Sequence, residues 1–332
     1  MSAERRRGQV RLAILLGSIA GLAVLGWSVA KGGGGSSHST AASGTGGPPP
    51  TRLTGTIVRA RLPVPLHGLS LARTFNGLQV IGGADSSDTS TDRVYMFNPR
   101  AGAVTRAGTL AQPLHDAAAT AVNRDTLVFG GGNSSTLDLV QALQPGAQAT
   151  TVGRLPVALS DLSAVTVGGA AYVVGGFNGT SPSAAVLQTT NGSAFERVAR
   201  LPTPVRYAAV AATQDKIYAF GGELANGQDT NLIQEYDIAT EHSVVAGHLV
   251  EPVSHASAVS LRGGLYLIGG RRLGTASDLI LRFEPTRNVA VPAGRLPVPV
   301  FDGAARTFGT EAWLVGGIGR NGTTLNTIIS VR

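Results

Sequence analysis

The sequence predicts an all-β fold: six copies of a four-stranded antiparallel unit, closed into a ring by a strand from the opposite end of the chain. Three observations predict it. A Leu precedes a Gly-Gly pair by 20 residues six times: Leu62 to Gly82-Gly83, Leu110 to Gly130-Gly131, Leu155 to Gly175-Gly176, Leu201 to Gly221-Gly222, Leu249 to Gly269-Gly270 and Leu296 to Gly316-Gly317. Successive Gly pairs lie 48, 45, 46, 48 and 47 residues apart, so the variation in length falls between one Gly-Gly and the next Leu. A fixed half and a tolerant half mark a repeated supersecondary unit. The last copy ends at Arg332 one strand short, while an unassigned run, TGTIVRARL at 54–62, precedes the first.

Within a unit, an alternating run begins about five residues after the Leu, turns, and enters an apolar run that ends at Gly-Gly; in the fourth copy these are 207–213 and 216–220. A polar loop leads to a third strand, 231–237, and a fourth, 242–249. Alternation followed by a short apolar run between turn signals reads as antiparallel strands. First strands are rich in small residues, such as Ala117-Ala118-Ala119 and Ala208-Ala209, which suits strands converging on a narrow axis. Asn-Gly at 76–77, 178–179, 191–192, 226–227 and 321–322 supplies the positive dihedrals that turns require. Given that turn chemistry and a composition with only two Lys against many Arg and Ala, the acceptor-like triplets at Asn133, Asn178, Asn191 and Asn321 read as turns rather than glycosylation sites. The run 54–62 matches the fourth strands ending at the repeated Leu residues, so it is expected to complete the last unit and remove the open edges of a linear array.

The formal charge of +7 is concentrated at the start of the chain, where residues 1–31 carry +4 and leave +3 for the rest. A mild, scattered excess gives no stripe to follow a phosphate backbone, so no nucleic-acid partner is expected. The absence of Cys excludes disulfides, thiolate metal sites and cysteine nucleophiles. Residues 1–11 form a short basic tail, and residues 12–30 are 19 uncharged, mostly apolar positions. As a helix they span about 28 Å, enough to cross a bilayer. The basic flank places the tail in the cytoplasm and the rest outside, with the chain held at the cell membrane by a single-pass signal anchor. The competing reading is a cleaved secretory signal ending near Ser28-Val29-Ala30. Residues 31–52, rich in Gly, Ser and Pro, read as a linker, and 53–332 as one repeat domain.

The runs QVIGG, LVFGG, YVVGG, YAFGG, YLIGG and WLVGG resemble the Gly-Gly strand of kelch repeats, and the resemblance covers residues 53–332. It implies a six-bladed kelch-type β-propeller, last blade closed by the N-terminal strand and preceded by the transmembrane helix. The chain departs from the family in its fourth strands, which lack the usual Trp, and keeps the aromatic before the third-strand turn only at Tyr95 and Tyr236. Likeness to the related copper-radical galactose oxidases stops at architecture, because their cofactor needs a Cys. No cofactor is expected.

A hairpin of first and second strands puts the start of one and the end of the other on the same face. In family members that bind peptides such positions supply contacts, and the resemblance carries that role onto His67, His115, Asp116, Asp161, Arg206, Tyr207, His255 and Asp302, five and six residues after the Leu. Just past the Gly pairs it falls on Glu223, Arg271 and Arg272. Convergence of Arg206, Arg271 and Arg272 would suit a carboxylate, since guanidinium forks bind it bidentately. Tyr207, Phe177 and Phe301 would equally suit a sugar ring. His115, Asp116 and Asp161 form the best trio for a metal, but six-fold distribution spreads such side chains apart, and no metal site is expected. The function implied is a protein- or glycan-binding module. Two alternatives stand beside it: a sugar-active enzyme of epimerase or hydrolase type on the same face, which predicts acid and base with opposed pKa shifts, or a structural part of an envelope complex.

Overall fold

The structure, a computed structural model, describes residues 48–144 and 146–332. The basic tail, the apolar segment 12–30 and the linker up to residue 47 lie outside the described residues, as does the anchor expected there. Among the described residues no helix is long and apolar enough to cross a membrane.

The described chain is all-β, in small antiparallel sheets. The first holds Ser70–Arg73, Leu78–Ile81, Thr91–Asn98 and Ala103–Leu114 in sequence order. The same order recurs from Ala118–Val122 to Thr150–Arg154 and from Ser163–Val167 to Glu196–Arg200. It recurs again from Ala209–Ala212 to His242–His248 and from Ser257–Leu261 to Val289–Arg295. The last group, Ala304–Phe308, Glu311–Val315 and Thr327–Val331, takes its fourth strand from Leu53–Arg61, which runs antiparallel to Thr327–Val331 with Gly55 opposite Val331. Short parallel bridges, such as His248 to Val289 and Leu53 to Gly294, link fourth strands of adjacent groups.

Innermost strands adjoin one another in sequence order, and Ala304–Phe308 adjoins Ser70–Arg73, so they surround an axial channel. The Leu and Gly-Gly positions explain how one group meets the next. Each repeated Leu is buried, Leu62 and Leu249 to 1% and 2% exposure, in a core shared by two neighbours. The second Gly of each pair donates its N–H to the carbonyl four residues after the repeated Leu that follows it around the ring: Gly83 to Leu114 at 2.9 Å, Gly131 to Leu159 at 2.9 Å, and finally Gly317 back to Leu66 at 2.8 Å. The first Gly must be small and left-handed. Gly130 has φ +57°, and a Cβ there would lie 2.1 Å from the Leu159 carbonyl oxygen. Every core cluster joins two adjacent groups; Phe129 and Val140, for example, pack with Leu155, Leu159 and Val173. Ala, Val and Leu fill these spaces where the fourth strands carry no Trp.

Strand ends differ from expectation where the backbone must turn. The first strand expected over 207–213 is Ala209–Ala212, because Tyr207 sits at φ 53° and cannot extend the ladder. The second is found over Lys216–Phe220 as expected. In the fifth repeat a two-residue hairpin, Arg271–Arg272 with Thr275–Ala276, replaces part of the polar loop.

Candidate functional site

The residue five after each Leu pairs with the residue just past the Gly-Gly of the same repeat: His67 with Ala84, His115 with Gly132, Ser160 with Phe177, Arg206 with Glu223, Ser254 with Arg271 and Phe301 with Ile318. Both sets therefore lie at one end of the channel. The residue six after the Leu goes further. Gly68, Asp116, Asp161, Tyr207, His255 and Asp302 all have φ between 50° and 58°. Left-handed backbone turns each N–H toward the preceding repeat, and the six form a closed circle of hydrogen bonds. Asp116 N–H donates to Gly68 O at 2.7 Å, Asp161 to Asp116 at 2.9 Å, Tyr207 to Asp161 at 2.9 Å, His255 to Tyr207 at 3.1 Å, Asp302 to His255 at 2.9 Å and Gly68 to Asp302 at 3.0 Å. Five of these six positions hold a side chain in a conformation that disfavours one, a strain of about 1 kcal/mol or more each. What the strain secures is a ring of side chains around a cavity of about 90 Å³ at the mouth.

Asp116, Asp161 and Asp302 line that cavity with Tyr207 and His255. Burial, then the charges of Asp302 and Asp161, hold the Asp116 carboxyl well above the usual carboxylate range, against the Tyr207 hydroxyl, which donates to its Oδ2 at 3.3 Å. Burial also pushes Asp161 up to about 6, although Arg206 Nη1 lies 3.5 Å from its Oδ2. His67 lies between two carboxylates, Nδ1 at 3.0 Å from Asp302 Oδ2 and Nε2 at 3.0 Å from Asp88 Oδ1, and the bond to Asp302 leads in raising its pKa. His115 meets Ser90 Oγ through Nδ1 at 2.8 Å and has its pKa lowered, chiefly by burial. His255 is likewise lowered by burial and stacks on Tyr207 with centroids 3.7 Å apart.

Arginines are brought to the site but not freed for a ligand. Arg206 donates to Glu223 through Nε at 2.9 Å and through Nη2, and stands 4.7 Å from the Phe177 ring centroid. Arg271 Nη2 reaches Glu223 Oε2 and Asp229 Oδ1, each at 3.0 Å. Glu223, 5% exposed, is thus shared by two guanidinium groups. Arg272 is not part of this convergence. It is buried, its nearest carboxylate is Glu251 at 3.8 Å, and its Nε and Nη2 have no partner among the described residues. The expected three-arginine cradle is therefore two arginines already neutralised and a third that faces elsewhere. Tyr207 has His255 on its ring and Arg206 at 5.4 Å, which leaves it poorly placed to stack on a sugar. His115 Nε2 is 3.8 Å from Asp116 Oδ2, and no group of three or more His, Asp or Glu that could hold a metal occurs among the described residues.

Sequence reasoning missed Asp88, Ser90 and Asp229, all in the loops whose length varies between repeats. Their signal was positional: Ser90 and Asp229 form bridges to Ala84 and Glu223, residues that follow Gly-Gly.

The likeness to known proteins runs through the repeats. The chain is 30% identical over 135 residues to Kelch-like protein 33 of Homo sapiens, and 28% over 177 residues to the Kelch repeat protein M-T8 of Myxoma virus. It is 23% identical over 164 residues to beta-scruin of Limulus polyphemus. A solved structure, that of YjhT, superposes with a TM-score of 0.71 over 82% of this chain and 98% of its own length.

These are kelch repeats.

The repeats match only part of each curated relative: 25% of Kelch-like protein 33, 32% of M-T8 and 18% of beta-scruin. At 16% identity the YjhT likeness speaks for the fold alone. No protein-family model matches the chain. Within the kelch repeats, Leu and Gly-Gly join neighbours, while the mouth residues His67, His115, Ser160, Arg206, Ser254 and Phe301 vary among the repeats.

Proposed function

We propose that this chain is a six-bladed kelch-type propeller, completed by its N-terminal strand, that works as a protein-binding module. Its mouth would grip a segment presenting a cationic or hydrogen-bond-donating side chain. Likeness to kelch-repeat proteins supports the binding role. The observation that carries the ligand class is the balance of charge: Asp116, Asp161 and Asp302 face the mouth cavity, while Arg206 and Arg271 are committed to Glu223, Asp229 and Asp161. A buried carboxyl held protonated gives up its proton when a cation takes the proton's place, so binding should release protons. Residues 12–30 would anchor the domain in the cell membrane, outside the cytoplasm, with residues 31–52 as its tether.

Calorimetry in buffers of different ionisation enthalpy tests the reading, using Lys- and Arg-containing peptides selected from a peptide array, with a glycan array in parallel. Proton release near pH 6 that disappears in Asp161→Asn supports it. Binding confined to neutral glycans, unaffected by Asp116→Asn or Asp302→Asn, would sink it.

A second reading, catalysis on a sugar, has one observation in its favour: carboxyls with raised pKa and a His255 imidazole with lowered pKa share one cavity. Turnover of any sugar in a substrate panel, lost in both Asp161→Asn and His255→Gln, would establish it in place of simple binding.

A further inference from the structure

An innermost strand has no partner on its channel side, so its carbonyls need donors from elsewhere. Hydroxyls of neighbouring repeats supply most of those recorded. Ser70, Ser163 and Ser257 donate to the carbonyls of Ala117, Ala208 and Gly303 at 2.6, 2.7 and 2.8 Å, and Thr166 and Thr307 donate to Ala121 and Ser260 at 2.7 and 2.6 Å. One layer is different. Ten residues after the repeated Leu stand Ala72, Thr120, Val165, Ala211, Val259 and, in the last repeat, Arg306. Its guanidinium crosses the channel: Nε donates to Leu71 O at 3.0 Å, and Nη2 to Ala119 O at 2.6 Å and Ala164 O at 3.3 Å. Three successive repeats are bolted together by one side chain.

This cation has no counter-charge. Among the described residues no carboxylate forms an ion pair with Arg306, and burial alone brings its pKa down to about 10. Nη1 has no hydrogen-bond partner there either. Beyond the bolt, away from the acidic mouth, the channel opens into a cavity of about 350 Å³. Its wall carries Arg306, Arg73, Thr120, Thr166, Ser260 and Thr307 among Ala and Val side chains, and no acidic residue. Arg73, exposed at the rim, makes no ion pair among the described residues. In this concave, apolar-walled funnel the charge of Arg306, with Nη1 left to donate, and the unpaired guanidinium of Arg73 raise the local concentration of anions, and the Arg73 fork matches an oxyanion with two or more acceptor oxygens.

We propose that this funnel binds a small oxyanion of the phosphate or carboxylate class, held between Arg306 and Arg73 at the end of the channel opposite the mouth. The site is independent of whatever the mouth binds. Charge separates the two ends, since the aspartates would repel an anion entering from their side.

The probes are inorganic phosphate and acetate, compared with sodium chloride at matched ionic strength, with thermal unfolding and calorimetry of the full chain as readouts. Either probe should raise the unfolding temperature saturably. Arg73→Ala should leave the unfolding temperature in chloride unchanged and weaken anion binding about tenfold or more. Arg306→Met should lower the unfolding temperature in chloride and abolish the anion response. Phosphate acting without acetate narrows the ligand to phosphoryl groups, and both acting keeps the wider class. The proposal fails if wild type shows no saturable response to either anion, or if the response survives in Arg73→Ala at full strength.

Discussion

The two ends of the axial channel are lined by neighbouring positions of the same innermost strands, yet they carry opposite charge. At the mouth, six residues after each Leu, Asp116, Asp161 and Asp302 are set among Tyr207 and His255. Four residues further along the strand, one arginine stands among Ala, Val and Thr. The mouth is cross-linked, Arg206 and Arg271 being held by Glu223, Asp229 and Asp161, whereas Arg306 rests on carbonyls alone. What the contrast teaches is that kelch repetition fixes the backbone and leaves each layer of the channel to be assigned its own chemistry. Function is written where the repeats disagree.

The largest test of this contrast removes the ring that both ends depend on. Deleting residues 53–61 takes away the partner of Thr327–Val331 and opens two edges. The expected loss is comparable to the whole stability of a domain, roughly 5–15 kcal/mol, seen as an absent cooperative transition in chemical denaturation. An intact transition would mean that the clasp contributes little.

Next comes the desolvated mouth. The folded-state pKa of Asp161, about 6, lies above its ordinary value of 3.8, so the folded chain binds the extra proton between these pH values. Stability from this group is therefore present below pH 3.8 and falls as pH rises toward 6. Asp161→Asn should gain up to about 3 kcal/mol at pH 7, the contact with Arg206 already being counted in that pKa, and nothing at pH 3.5. Equal urea midpoints for variant and wild type at both pH values would show that the mouth is better hydrated than its geometry implies.

A smaller effect tests the left-handed circle. Gly68 is its one glycine, at φ +55°, and an added Cβ would meet Asp116 Oδ1 at 2.5 Å. Gly68→Ala should cost about 1–2 kcal/mol, measured by denaturant midpoint, with the Asp116 side chain displaced. The smallest effect belongs to His67. Its raised pKa means that its bonds to Asp302 and Asp88 stabilise fully below the ordinary value of 6.5, and that this support is lost as pH rises through the folded value. His67→Gln should cost less than about 1 kcal/mol at pH 5.5 and almost nothing at pH 8.5, read from unfolding temperatures at both.

The repeat, its strands and the clasp were legible because they rest on spacing, and spacing survives substitution. The fourth repeat's second strand, 216–220, could be read to the residue from its apolar run and its Gly-Gly. The gathering of His67, Asp116, Asp161, Arg206 and Asp302 at one end was legible for the same reason. Their electrostatic state was not. Asp88 and Asp229 come from loops of unequal length, and without them His67 and Arg271 look like free charges. The left-handed circle was hidden because five of its members are not Gly, the residue by which such backbone is usually recognised. Arg272 was misplaced because a two-residue hairpin, Arg271–Arg272 with Thr275–Ala276, alternates the direction of its neighbours. Arg306 left a trace, a lone charge in the small-residue run GAARTF, whose meaning emerges only once the carbonyls across the axis are seen.

Because Leu53–Arg61 pairs with Thr327–Val331, the first of the described strands to leave the ribosome waits for the last of them. Neighbouring groups share their cores, so early repeats can assemble as a growing stack, but the final seam is a contact between residues almost 280 positions apart. Until Thr327–Val331 has been made, both rims of that stack stay sticky. A pause or truncation late in synthesis should therefore leave an aggregation-prone chain out of proportion to the few residues missing.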